Sequence, residues 1–129
     1  MTKILFKELS YKIQGAFFEV YKNLGNSHKE IVYHKALVHE LENNGFKVDD
    51  QKRINVNYKG KYVGVYVPDI IVDDAILLEL KCKPRLIPND VKQFWQYLRG
   101  SDYKLGYLVN FGSAGKVEYI RRVYDKARK

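Results

Sequence analysis

Asp69, Glu79 and Lys81 stand among Ile, Val and Leu on either side of an Asp73-Asp74 turn in the stretch Pro68-Asp69-Ile70-Ile71-Val72-Asp73-Asp74-Ala75-Ile76-Leu77-Leu78-Glu79-Leu80-Lys81. Asp73-Asp74-Ala75 has the composition of a tight turn. If that turn is centred on Asp74, residue 69 falls opposite residue 79, with Cβ atoms roughly 4.5–5.5 Å apart. Glu79 and Lys81 are two apart, so on a strand they share a face. Two carboxylates this close in an apolar sheet repel each other and call for positive charge. A hard dication, Mg²⁺ or Mn²⁺, with oxygen ligands and retained waters meets that need. A lysine beside it can hold an attacking water, which is the equipment for hydrolysing a phosphodiester. The other reading of the same residues is a Glu79–Lys81 or Asp69–Lys81 ion pair on a sheet. A one-residue slip of the turn would put Asp69 on the other face.

Several elements have to place these residues. Apolar positions Ile4, Leu5, Leu9, Ile13, Phe17, Val20, Tyr21 and Leu24 recur at helical spacing and end at Gly25. A second helix opens at Ser27 and runs through Ile31, Val32, Ala36, Leu37 and Leu41 to the stop Asn43-Asn44-Gly45. The period then changes to two. Ile54, Val56 and Tyr58 alternate with polar residues, Lys59-Gly60-Lys61 is a hairpin turn, and Tyr62 to Val72 is the returning strand. Residues 76–82 form a central strand, apolar on both faces. Pro84 and Pro88 break the chain before a helix from about Asn89 to Arg99, with Asn89 or Asp90 near its cap. Strands follow at Leu105–Phe111 and Val117–Val123. The expected order is ααβββαββ, an α/β domain with a mixed sheet.

The surrounding residues resemble a known family. Pro68-Asp69, nine residues, then Glu79-x-Lys81 is similar to the PD-(D/E)xK nuclease signature. Gly25-x-x-x-x-Glu30-x-x-Tyr33, the Gln51…Tyr58-Lys59-Gly60 stretch, Gln93-x-x-x-Tyr97 and Gly106-Tyr-Leu-Val-Asn-Phe-Gly112 resemble the GxxExxY branch of that superfamily, near the RecB-type nuclease domains. The resemblance covers roughly residues 5–122. It implies a restriction-endonuclease-like core, a sheet flanked by helices. It implies Asp69 and Glu79 as metal ligands, the Leu80 carbonyl as a further ligand, and Lys81 as the group that positions water. Glu30 would complete or orient the metal site, and Gln93 and Tyr97 would lie on one helix face beside the substrate. One departure stands out: where the family has glycine three residues before the glutamate, this chain has Ser27. Ser27-x-x-Glu30 reads as a capping box, which gives Glu30 a structural alternative.

Among the remaining residues, Lys83, Arg85, Lys92, Arg99 and Lys104 cluster in sequence around the site and are candidates to track phosphates; the alternative is a solvated helix face. Arg121, Arg122, Lys126, Arg128 and Lys129 form a basic tail. His28, His34 and His39 lack metal-binding spacing, and Cys82 points away from Lys81 as a small core residue. Trp95 is a candidate to stack on a base or to join the core with Phe94.

The chain has 129 residues, enough for one domain, 1–129, with one core. Its net charge of +8 suits a polyanionic partner such as nucleic acid, and with the family resemblance the expected partner is DNA. One cysteine excludes an internal disulfide and fits a reducing compartment, with cytoplasm the default. No apolar run approaches the ~20 residues that span a bilayer, so no membrane role is expected. The leading expectation is a Mg²⁺-dependent nuclease. The alternatives are a non-catalytic nucleic-acid-binding or accessory module on the same fold, and a protein-binding regulatory domain.

Overall fold

The computed structural model describes residues 2–124, with side chains from Phe6 onward. Helices α1 (Thr2–Leu24) and α2 (Glu30–Asn43) come first, then β1 (Val48–Asp49), β2 (Ile54–Tyr58), β3 (Lys61–Tyr66), β4 (Ile70–Val72) and β5 (Ile76–Lys81). Helix α3 (Pro88–Gly100) precedes β6 (Leu105–Asn110) and β7 (Glu118–Val123). Lys126, Arg128 and Lys129 of the basic tail lie outside the described residues.

The main sheet has the order β1-β4-β5-β6-β7, while β2 and β3 form a ribbon of their own. Strands β5 and β6 run parallel, joined through α3, and the other neighbours are antiparallel. The result is the mixed sheet flanked by helices that the resemblance implied. It differs from the expected order in two ways. A short strand, β1, pairs with β4, and the returning strand is split into β3 and β4. The split falls at Val67-Pro68-Asp69, because proline has no N–H to give a ladder. The chain leaves the ribbon there and enters the main sheet.

Helices α1 and α2 cover one face of the sheet. Ile13, Ala16, Phe17, Val20, Tyr33, Leu37 and Leu41 pack on Ile70, Val72, Ile76, Leu78 and Leu80. Each Val, Leu, Ile or Phe side chain among them, fully buried, contributes about 1.5–3 kcal/mol. The other face, with Ile71, Leu77 and Leu108, meets Phe94 and Leu98 of α3, and Ile54 and Tyr66 of the ribbon pack against that cluster. Gly106 lets α3 lie down on β6, since a Cβ there would come within 3.0 Å of the Phe94 ring.

Positive φ shapes two of the turns that set strand register. Lys59 and Gly60 (φ 50° and 81°) make the ribbon's two-residue turn, as their sequence suggested. Asp73 and Asp74 (φ 53° and 51°) make the turn between β4 and β5, a conformation that short polar side chains tolerate. The ladder across that second turn pairs Val72 with Ile76, Ile71 with Leu77 and Ile70 with Leu78. This is the register that sets residue 69 opposite residue 79.

Candidate metal and active site

Strand alternation sends Ile76, Leu78 and Leu80 into the α1–α2 core and Leu77 toward α3. Glu79 and Lys81 therefore share Leu77's side, as does Asp69 with Ile71. The Asp69 backbone N–H donates to Glu79 Oε1 at 3.2 Å, and the Leu80 N–H donates to Asp69 Oδ2 at 2.7 Å. Each acid is thus held by a backbone N–H from across the two strands, Glu79 by Asp69 and Asp69 by Leu80. Asp69 Oδ1 and Glu79 Oε2 take no hydrogen bond from the described residues and remain open.

The Leu80 carbonyl belongs to the same place. Phe111 N–H donates to the Lys81 carbonyl at 3.0 Å on the β6 side. The Leu80 carbonyl, one residue back, points to the opposite edge, where the β4 ladder has already ended at Ile70.

Glu79 has its pKa pushed up to about 7, first by burial and then by the Asp69 charge. The hydroxyl of Tyr66 donates to Glu79 Oε1, and the Tyr66 ring stacks on Tyr97 at 3.9 Å between centroids and 18° between planes. Burial and the Glu79 charge push the Tyr66 phenol far upward, so it remains a donor. The stack links Tyr97 to Glu79 through Tyr66. Nothing in the spacing of Tyr66, three residues before Asp69, marks it out, and as a strand tyrosine it reads as sheet cover.

A pH dependence follows. The unfolded Glu79 loses its proton near 4.5, whereas the folded one holds it to about 7. Between those values the folded state binds more protons, so this group's contribution to stability falls as pH rises. Metal-free thermal melts are expected to show Tm declining from about pH 5 to about pH 7, and Glu79→Gln is expected to flatten that decline. An unchanged slope in Glu79→Gln would contradict the assigned environment.

Lys81 Nζ lies 3.4 Å from Gln93 Oε1 and 4.0 Å from Asp90 Oδ1, so α3 steadies the ammonium from above. Asp90 is buried at the start of α3. Its Oδ2 accepts from Ile87 N–H at 2.9 Å and from Lys83 Nζ at 2.9 Å. The Lys83 hydrogen bond is the main reason its carboxyl sits below the usual carboxylate range.

Glu30 stands at the first residue of α2, within electrostatic reach of the site. Its pKa is raised by burial and by the Asp69 charge, with Lys81 and His34 opposing. The expected capping box does not form. Helix α2 begins after Lys29, with no side-chain cap, and the Ser27 hydroxyl donates to Asn26 Oδ1 at 3.4 Å. Tyr33 fixes this segment instead. Its hydroxyl donates to the Gly25 carbonyl at 2.6 Å and accepts from His28 N–H at 3.2 Å, while its ring stacks on Phe111. Glu30 is left available to the site.

The residues expected to track phosphates are spread over several places rather than gathered at the site. Lys83 is bound to Asp90. Lys92 and Arg99 fall about 100° or more from Gln93 and Tyr97 around α3, at about 100° per residue, and Arg99 lies over the Tyr124 ring at 5.9 Å. Lys104 stands at the far end of the sheet, just ahead of β6, and Arg85 is exposed in the loop after β5. Phe94 is core, and Trp95 packs edge-on against Tyr124 at 5.6 Å. The Cys82 thiol donates to the His28 carbonyl, on the side away from Lys81.

The Gly106–Gly112 segment holds the loop that follows Lys81. Asn110, fully buried, accepts from Lys83 N–H (3.0 Å) and Gly112 N–H (3.1 Å) and donates to the Lys83 carbonyl (2.9 Å) and Glu118 Oε1 (3.1 Å). A Cβ at Gly112 would lie 2.3 Å from the Lys83 nitrogen, so only glycine fits. Asn110 and Glu118 were not singled out from the sequence as individual residues, since each bond depends on where the loop returns.

Among the described residues, no three His, Cys, Asp or Glu side chains form a ready cage for a metal. The set here is two carboxylates and a carbonyl, with Glu30 farther out, which suits an ion that keeps several waters. No described helix is long and apolar enough to cross a membrane.

A family model described as the PD-(D/E)XK nuclease superfamily matches residues 7–123. No curated protein matches the sequence. Among solved structures, an alkaline exonuclease (LHK-Exo) from Laribacter hongkongensis is similar at 17% identity and a TM-score of 0.48. The likeness covers 70% of this chain and 54% of that one, so the chain spans about half the length of that relative.

Proposed function

The chain belongs to the PD-(D/E)XK nuclease superfamily, and on that premise we propose that it is a Mg²⁺-dependent nuclease that hydrolyses phosphodiester bonds in DNA. The observation that carries this reading is the opposition of Asp69 and Glu79 on the face shared by Lys81, with one oxygen of each acid left open. We place the chain in the GxxExxY branch, near the RecB-type nuclease domains, on the spacing of Gly25, Glu30 and Tyr33. The single cysteine fits a reducing compartment, and we propose the cytoplasm.

The residues present fit a hard divalent ion. Asp69 and Glu79 would hold it, the Leu80 carbonyl would add a neutral oxygen, and Glu30 would reach it directly or through water. The bound ion supplies Lewis-acid polarisation of the scissile phosphate. Lys81 orients the attacking water, and Gln93 and Asp90 fix the direction of its ammonium. Tyr66 orients Glu79, and Tyr97 braces Tyr66 from α3.

The test is cleavage of single-stranded, double-stranded and branched DNA, with RNA in parallel, in Mg²⁺, Mn²⁺ or EDTA. Cleavage of DNA that EDTA abolishes supports the reading. Salt-sensitive binding with no cleavage in any metal would point to an accessory module. No binding to any nucleic acid would point to a protein-binding domain.

A further inference from the structure

The β2–β3 ribbon stands outside the main sheet, and its composition is one-sided. Between Gln51 and Pro68 the chain carries Lys52, Arg53, Lys59 and Lys61 and no acidic residue. Apolar and aromatic side chains interleave with these cations and face solvent: Tyr58 is 63% exposed and Val56 45% exposed.

The ladder decides which of them share a face. Ile54 pairs with Tyr66, Val56 with Gly64 and Tyr58 with Lys61. The register shifts between Val56 and Asn57, which leaves Val63 as the extra residue, and Tyr62 falls opposite Asn57 on the other face. One face therefore runs Tyr66, Ile54, Val56, Tyr58 and Lys61, starting beside Glu79 and ending at the turn. From Ile54 to Tyr58 is about 13 Å at 3.3 Å per residue. Lys59 lies over the Tyr58 ring at 5.3 Å, which brings a cation to the aromatic surface.

We propose that this ribbon is a strand-binding arm that grips an unpaired stretch of nucleic acid. Bases rest on Tyr58 and Val56, phosphates run along Lys59 and Lys61, and Tyr66 at the root leads the strand toward Asp69 and Glu79. The proposal rests on the nuclease reading for its placement beside the site. Charge alone would suit a duplex equally well. The open aromatic and apolar surface favours an unpaired strand, because stacking needs base faces that a duplex hides.

The test reads binding without cleavage. The full chain is titrated into fluorescein-labelled oligothymidylate in EDTA and followed by anisotropy, with circular dichroism confirming each fold. Tyr58→Ala is expected to raise Kd about fivefold or more, the loss typical of one stacked base. Tyr62→Ala, on the opposite face, is expected to change Kd less than about twofold, because only a base on the site-side face loses its stacking partner. Lys59→Gln with Lys61→Gln is expected to flatten the salt dependence of binding. The arm is overturned if Tyr58→Ala binds as the parent does, if a blunt duplex is bound more tightly than the oligothymidylate, or if the parent does not bind the oligothymidylate. It is also overturned if sedimentation shows a dimer that Tyr58→Ala dissolves, since a second copy would then cover the face. Absence of cleavage in every metal, with these binding effects present, would remove the hydrolytic reading and leave the arm. Intact cleavage with no effect at Tyr58 would remove the arm alone.

Discussion

Asp69→Asn is expected to lower metal-dependent cleavage by about 10³-fold or more with the fold unchanged. Asparagine keeps an oxygen to accept the Leu80 N–H, which Asp69 Oδ2 now takes at 2.7 Å, so the bend after Pro68 stays in place. The substitution removes one negative charge from a site that opposes two. Metal polarisation is worth several kcal/mol of transition-state stabilisation, and each 1.36 kcal/mol is a tenfold change in rate. Lys81→Met, which keeps the aliphatic stem but has no ammonium, is expected to cost about 10²–10³-fold, as for other single groups aimed at developing charge. Single-turnover cleavage at saturating Mg²⁺ measures both, and Mg²⁺-induced stabilisation in thermal melts separates them. Asp69→Asn should lose that stabilisation and Lys81→Met should keep it. Cleavage by either variant within about tenfold of the parent would show that the chemistry lies elsewhere.

The second large effect is on stability. Asn110→Ala strands the Lys83 and Gly112 N–H groups, the Lys83 carbonyl and a contact to Glu118 in one step. Each buried polar group left unsatisfied costs about 1–3 kcal/mol, with partial relief where water enters. A loss of about 3 kcal/mol is expected, which for a chain of this size lowers Tm by about 10 °C. The loop after Lys81 would loosen with it. Lys83 and Asp90 belong to that loop and to the helix that steadies Lys81, so activity should fall even below the melting transition. Denaturant melts check the first part. A loss under about 1 kcal/mol would mean that the four bonds are replaced by water.

Much of the site was legible because it is local. The register of β4 on β5 follows from a three-residue turn and a period of two, so the opposition of residues 69 and 79 needs nothing distant. The two helices, the buried strands and the ribbon's Lys59-Gly60 turn are likewise set by apolar spacing and by residues that accept positive φ. At several positions that the family spacings marked, the structure supplies a packing reason. Tyr33 ties down the 25–28 segment, Gly106 admits Phe94, and Gly112 admits the Lys83 backbone.

Where side chains separated by tens of residues meet depends on how layers pack, and that was decided only in three dimensions. Ser27 looked like a cap until Tyr33 took the groups around it. Lys83 read as a candidate phosphate contact, and only the close of α3 on the sheet gives it Asp90 as a partner. Tyr66 looked like sheet cover until the break at Pro68 and the stack on Tyr97 turned its hydroxyl onto Glu79. The acids and the lysine are therefore written in the chain's own alternation. Their supports come from α3, the ribbon and the Asn110 loop, whose positions are fixed by packing rather than by neighbours in sequence.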